Sequence, residues 1–182
     1  HTREQIHALG VPVTADVFGV ATSAGHDVGI GQLWEQMYDV TDVLLPMVYP
    51  SHYPRGSFGI PHPNADPYRT VLTALRHGVQ RNRVIEDAAT IRPWLQDFTL
   101  GRPPYGAAHV RAQIQAVYDA GLTEWVLWNA SSRYTPGALA DANGNVPPIE
   151  GLAALLTGPA ETAPDTTAPD TALADTVPQE ED

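Results

Sequence analysis

The sequence predicts an α/β protein with a parallel sheet, on three observations. Helix-period and strand-type segments alternate four times, the strand segments are near-continuous apolar runs, and the connections after strands are longer than those before them.

The first unit opens with Thr2 and Gln5, spaced as a capping box. Gly10 then stands where a helix stop is expected, and a strand reads from Val11 to Phe18. Leu33, Trp34, Met37 and Tyr38 fall at helical spacing before the apolar run VLLPMVY at 43–49. Asp66 and Pro67 form an N-cap and first-turn pair for a helix striped by Tyr68, Val71, Leu72, Leu75 and Val79, and a strand follows over 91–98. The fourth helix covers about 107–120, with Val110, Ile114 and Val117 inward and Gly121 as its stop, and leads to EWVLWNA at 124–130.

The long connections, 19–30, 50–66, 99–106 and 131–148, follow strands and hold most of the His, aromatic, Gly and Pro residues. Function is therefore expected at the C-terminal ends of the strands, in a barrel or in a doubly wound sheet alike. GIGQ at 29–32 is too short for a glycine-rich phosphate loop, which argues against a nucleotide site.

Composition changes near position 158. Residues 158–182 are Ala, Pro, Thr and acids, with seven acids and no base, so the net charge of -11 falls to about -4 for residues 1–157. With almost no large apolar side chains, this stretch reads as a disordered acidic tail next to a domain at 1–157. All ten basic residues are Arg, scattered rather than clustered, which argues against nucleic acid. There is no cysteine for a disulfide or thiolate site, and no apolar run long enough for a membrane span. The first residue is His1, so the native N-terminus with any signal peptide is expected upstream.

Four segments taken together, ADVFG (15–19) with DVGIGQ (27–32), PMVYPSHY (46–53), RPWLQDFT (92–99) and WVLWNA (125–130), resemble the putative glycoside hydrolase domain family DUF4015 over about residues 1–140. The resemblance implies the C-terminal half of a TIM-type (β/α)8 barrel, these strands being the fifth to eighth, with the N-terminal half upstream. It also implies a carbohydrate substrate and no cofactor. In that family the preceding strand carries an acidic motif of the form D-x-x-x-F-D-Y-I-R-F-P, which this chain does not contain. Half of an eight-stranded barrel has two unpaired edges, so the fragment alone is expected to be unstable, dimeric or aggregation-prone.

Glycoside hydrolysis usually needs two carboxyl groups flanking the scissile bond. Asp16, at the end of the first strand, is the candidate acid/base; its structural alternative is a loop-capping acid. Asp97, ending RPWLQD, is the candidate that stabilises the transition state or orients hydroxyls. By analogy with amylase-like barrels the nucleophile would be a strand-four Asp outside this chain.

Tyr49, His52 and Tyr53 suit stacking on and hydrogen bonding to a sugar ring, with loop packing as the competing role. Trp94 and Gln96 alternate with Leu95 and Asp97, so only one of these pairs is expected to face a barrel interior. Trp128 and Asn129 end the last strand, where a Trp suits the floor of a sugar subsite, whereas Trp34 and Trp125 read as core. His26 with Asp27, and His62 near Asp66, lack a recognised metal-ligand spacing and read as solvated loop residues. No GxSxG elbow surrounds any serine.

The leading expectation is a glycosidase that draws carboxylates from both barrel halves. The alternatives are a catalytically inert carbohydrate-binding barrel and a truncated gene product. A secreted or cell-envelope location is expected from the substrate class and the Pro/Thr-rich tail.

Overall fold

The computed structural model describes residues 2–157. The acidic segment 158–182, and the Thr2 side chain invoked for the first helix cap, lie outside the described residues.

The elements run α1 (Thr2–His7), β1 (Thr14–Phe18), α2 (Trp34–Met37), β2 (Val43–Met47), α3 (Pro67–Asn82), β3 (Thr90–Ile91), β4 (Trp94–Gln96), α4 (Ala107–Asp119), β5 (Val126–Trp128) and α5 (Leu152–Leu156). All pairings are parallel. The sheet order is β1, β2, β4, β5, with β3 also pairing with β2. The strand expected over 91–98 is thus split in two around Arg92 and Pro93, where a proline cannot donate to the ladder.

Strand order follows chain order without reversal, as short right-handed crossovers through helices produce. Among the described residues the sheet is open, with β1 and β5 at its edges, so a closed barrel is not seen in this chain.

The helices form where sequence chemistry favours them. The Asp66 carboxylate accepts the Arg69 backbone N–H at 3.4 Å, and Pro67 occupies the first turn of α3, where its missing N–H costs nothing. Along α3, Val71 and Leu75 are fully buried at i,i+4 spacing, and along α4 Val110, Ile114 and Val117 repeat the pattern. These residues pack on Val17, Leu44, Ile91 and Leu95 from alternate strand positions, with Trp34 completing the cluster. Full burial of each such side chain contributes about 1.5–3 kcal/mol.

Trp34 is 1% exposed, and its indole N–H donates to Asn82 at 2.8 Å, so it is core as expected. Trp125 packs against the same cluster while its indole N–H donates to the Tyr118 hydroxyl at 3.1 Å. Glu35, next to Trp34, forms a two-pronged ion pair with Arg81, whose guanidinium also holds the carbonyls of Ala21 and Ala24. That contact fastens the connection after β1 to the end of α3.

Candidate active site

Because α2, α3 and α4 cover one side of the sheet, the alternate strand positions point to the other. The parallel register puts Asp16 beside Leu45, Phe18 beside Met47, Met47 beside Trp94, and Gln96 beside Trp128, all on the side these helices leave uncovered. Asp16 is the one acid at these strand positions. The Trp94 indole N–H donates to its Oδ1 at 2.7 Å across the intervening strand. Trp94 also meets Trp128 edge to face, with ring centroids 5.8 Å apart at 83°. Trp128 is 43% exposed and Phe18 52%, so the face presents open aromatic surface along the strand from the carboxylate and across the sheet from it.

The connection after β2 roofs this face. Tyr49 is buried and meets His52 and Phe98 edge-on, at 5.2 and 5.6 Å between centroids. Burial, helped by the nearby Asp16 charge, pushes the Tyr49 hydroxyl far above the ordinary phenol range, so it stays a neutral donor. Burial likewise holds His52 below the usual histidine value, favouring the neutral ring.

Gln96 is fully buried. Its Oε1 accepts the Ser51 backbone N–H at 3.0 Å and its Nε2 donates to the Phe98 carbonyl at 3.0 Å. Its own backbone N–H and C=O are both taken by the buried Gln113 of α4, at 2.9 and 2.8 Å. Gln96 thus pins the roof to the sheet.

Tyr53 packs on Phe58, and its hydroxyl is buried without a hydrogen-bond partner, which raises its pKa far above that of a free phenol. Beneath it the chain passes at Gly19, where a Cβ would stand 2.5 Å from both the Met47 carbonyl oxygen and the Tyr53 hydroxyl. Only glycine allows that approach.

The alternation through β4 places Trp94 on the uncovered face, and Leu95 and Asp97 towards the helices. The Asp97 carboxylate, 3% exposed, accepts the Thr135 backbone N–H at 2.7 Å and the Thr135 hydroxyl at 2.6 Å. The Asn129 side-chain amide donates to the Asp97 and Arg133 carbonyls, while its Oδ1 accepts the Ser131 N–H at 2.8 Å. These two residues together tie down the connection after β5. The structure therefore brings Asp16, Tyr49, Trp94 and Trp128 together, with His52 alongside Tyr49, whereas the side chains of Asp97 and Asn129 are committed to the 129–135 loop.

Among the other histidines and acids, the His26 ring accepts the Val28 N–H at 3.1 Å and Asp27 accepts from Gly29 and Gly31, both as loop caps. Among the described residues no group of three or more His, Cys, Asp or Glu side chains is placed to hold a metal ion. Sequence reasoning missed Phe18 and Phe98 as part of the aromatic surface, and Phe58, which adopts a left-handed backbone at φ 57°. It also missed Gln113 and Thr135. A buried amide or hydroxyl reveals its partner only once distant segments meet.

An open parallel sheet with a carboxylate held by one tryptophan, and further aromatic rings on the same face, defines an α/β protein with one acid set in an aromatic surface. Residues 1–134 match the family described as a putative glycosyl hydrolase domain, and the chain belongs to that family. No curated protein matches the chain.

Proposed function

We propose that this chain contributes the C-terminal half of a (β/α)8-barrel glycosidase, binding a poly- or oligosaccharide over the uncovered sheet face and supplying Asp16 as the acid/base. The observation that carries this reading is the Trp94 N–H bond to Asp16, with Trp128 packed edge-on beside it on a face that α2, α3 and α4 leave uncovered. Sequential strand order, open edges at β1 and β5 and helices on one side are what a barrel cut across its ring would present.

In this reading a pyranose ring stacks on Trp128 and Trp94, and Tyr49 and His52 hydrogen-bond its hydroxyls. The Asp16 carboxyl gives its proton to the glycosidic oxygen as the bond to the anomeric carbon breaks. Water supplies the hydroxyl that replaces it, and the water's proton passes to a second carboxylate. That second carboxylate belongs to strands outside this chain, because Asp97 is taken up by Thr135 and acts as a positioning residue for the 129–135 loop.

A specific observation also favours a pure binding role. With Asp16 as the one acid at its strand positions, this half alone can grip a glycan without cleaving it. Reducing-end release from a panel of glycans, by the polypeptide that carries this segment in its natural context, decides between them. Hydrolysis that falls at least a hundredfold with Asp16→Asn supports the enzyme, and glycan binding with no hydrolysis supports the binding module.

A further inference from the structure

Beyond the sugar platform, the connections after β1 and β2 enclose a cleft of about 390 Å³, at the small end of the range for ligand pockets. Its walls are largely carbon, from Phe18, Met47, Tyr49, Tyr53 and Phe58, with His52 at its edge. Phe18 is the next position after Asp16 on the same strand face, about 7 Å further along. Asp16 itself does not line the cleft, which begins one side chain beyond the carboxyl, at the C-terminal end of β1.

Phe58 is the second mark of a built site. Its backbone sits at φ 57°, ψ 25°, a conformation unfavourable for a bulky side chain. It is held there by the turn bonds Gly59 N–H to Gly56 C=O and Ile60 N–H to Ser57 C=O, at 3.0 and 2.9 Å. That backbone aims the ring at Tyr53 and His77, with centroids 5.3 and 5.6 Å away, and closes the cleft wall. Of the polar groups in the lining, the Ser57 hydroxyl is engaged by the Pro54 carbonyl and the Ser23 hydroxyl by His77, at 2.8 and 2.9 Å. That leaves chiefly Arg55 and His52 for the hydroxyls of a second sugar, and unpaired hydroxyls are costly to bury. A flat aromatic ring finds edges and faces on several sides.

We propose that this cleft is the leaving-group subsite and selects an aryl group joined directly to the glycosidic oxygen at the reducing end of an oligosaccharide, so that the sheet face holds the sugars and the cleft the departing aryl alcohol. The assignment of the cleft to the leaving group rests on reading Asp16 as the acid; the affinity for an aryl group does not.

The test titrates the full chain with 4-methylumbelliferone, an aryl alcohol without a sugar, followed by NMR or calorimetry. Saturable one-to-one binding is expected. It should weaken at least tenfold in Phe58→Gly, which removes the ring and relieves the left-handed backbone, and in Val20→Trp, which fills the cleft. It should stay within twofold in Tyr134→Ala, an exposed aromatic outside the cleft. Absence of saturable binding, or binding indifferent to both cleft variants, overturns the proposal. If hydrolysis depends on Asp16 yet the aryl alcohol fails to bind, the subsite falls and the glycosidase reading stands. If the aryl alcohol binds as expected while hydrolysis of an alkyl glycoside, whose departing oxygen needs the proton, ignores Asp16, the leaving-group assignment falls together with that reading.

Discussion

Asp97 separates a structural acid from a catalytic one, and the two roles predict different outcomes for the same pair of variants. Its carboxylate accepts two bonds from Thr135 in a site 3% exposed. An asparagine can keep both contacts, its Oδ1 accepting the N–H and its Nδ2 donating to the hydroxyl, but each bond loses the charge. Hydrogen bonds to charged groups contribute about 1 kcal/mol more than neutral ones, so Asp97→Asn should cost about 2 kcal/mol. Asp97→Ala removes both and leaves a backbone N–H without a partner, for about 4 kcal/mol. In a domain of this size each kcal/mol moves the melting temperature by roughly 2–4 °C. Scanning calorimetry should therefore find Asn lower by roughly 4–8 °C and Ala by roughly 8–16 °C, with glycan affinity in the surviving folded protein nearly unchanged. An Asn variant that melts with the native chain yet loses glycan cleavage would refute the positioning role and return Asp97 to the catalytic pair.

Gly19→Ala forces the Met47 carbonyl and the Tyr53 ring apart, and should cost about 1–3 kcal/mol in urea unfolding, as overpacking does. At Phe58 both Ala and Gly remove the ring, but only Ala keeps an unfavourable positive φ, so the Gly variant should be the more stable by about 1 kcal/mol in the same assay. Asp42 ties α1 to the start of β2, bonded to His7, the Val13 N–H and Arg3, and these partners hold its pKa far below the usual carboxylate value. A depressed folded pKa gives stability that is fully present above the unfolded value of about 3.9 and is lost as pH falls through the folded one. The stability gap between native chain and Asp42→Asn should thus shrink as pH falls below about 4.

The class of fold was legible because its signals are local. The α3 stripe, its Asp66–Pro67 start and the β2 run each announce themselves within one element. The break in the third strand at Arg92 and Pro93 is also written in the sequence, yet the apolar pattern on either side masks it. The five-residue α5 drew no reading, since LAALL is too short to show a period. Asp16, Tyr49 and Trp128 were singled out at or after strand ends and Trp94 within its strand. The alternation that separates Trp94 from Asp97 was legible too, but which of the two pairs shares a face with Asp16 follows from register with β2 and β5. Thr135 and Gln113 carry no sequence signal, because each acts on a residue many positions away.

The role of Asp16 is tested most directly by leaving-group dependence, once a cleaved sugar is identified, in the polypeptide that holds this segment in its natural context. An acid that protonates the departing oxygen matters for an alkyl glycoside and hardly at all for the glycosyl fluoride of the same sugar. Asp16→Asn should lower kcat/KM about 10²–10⁴-fold on the first and within about tenfold on the second. Equal losses on both substrates, or none on either, would contradict the account.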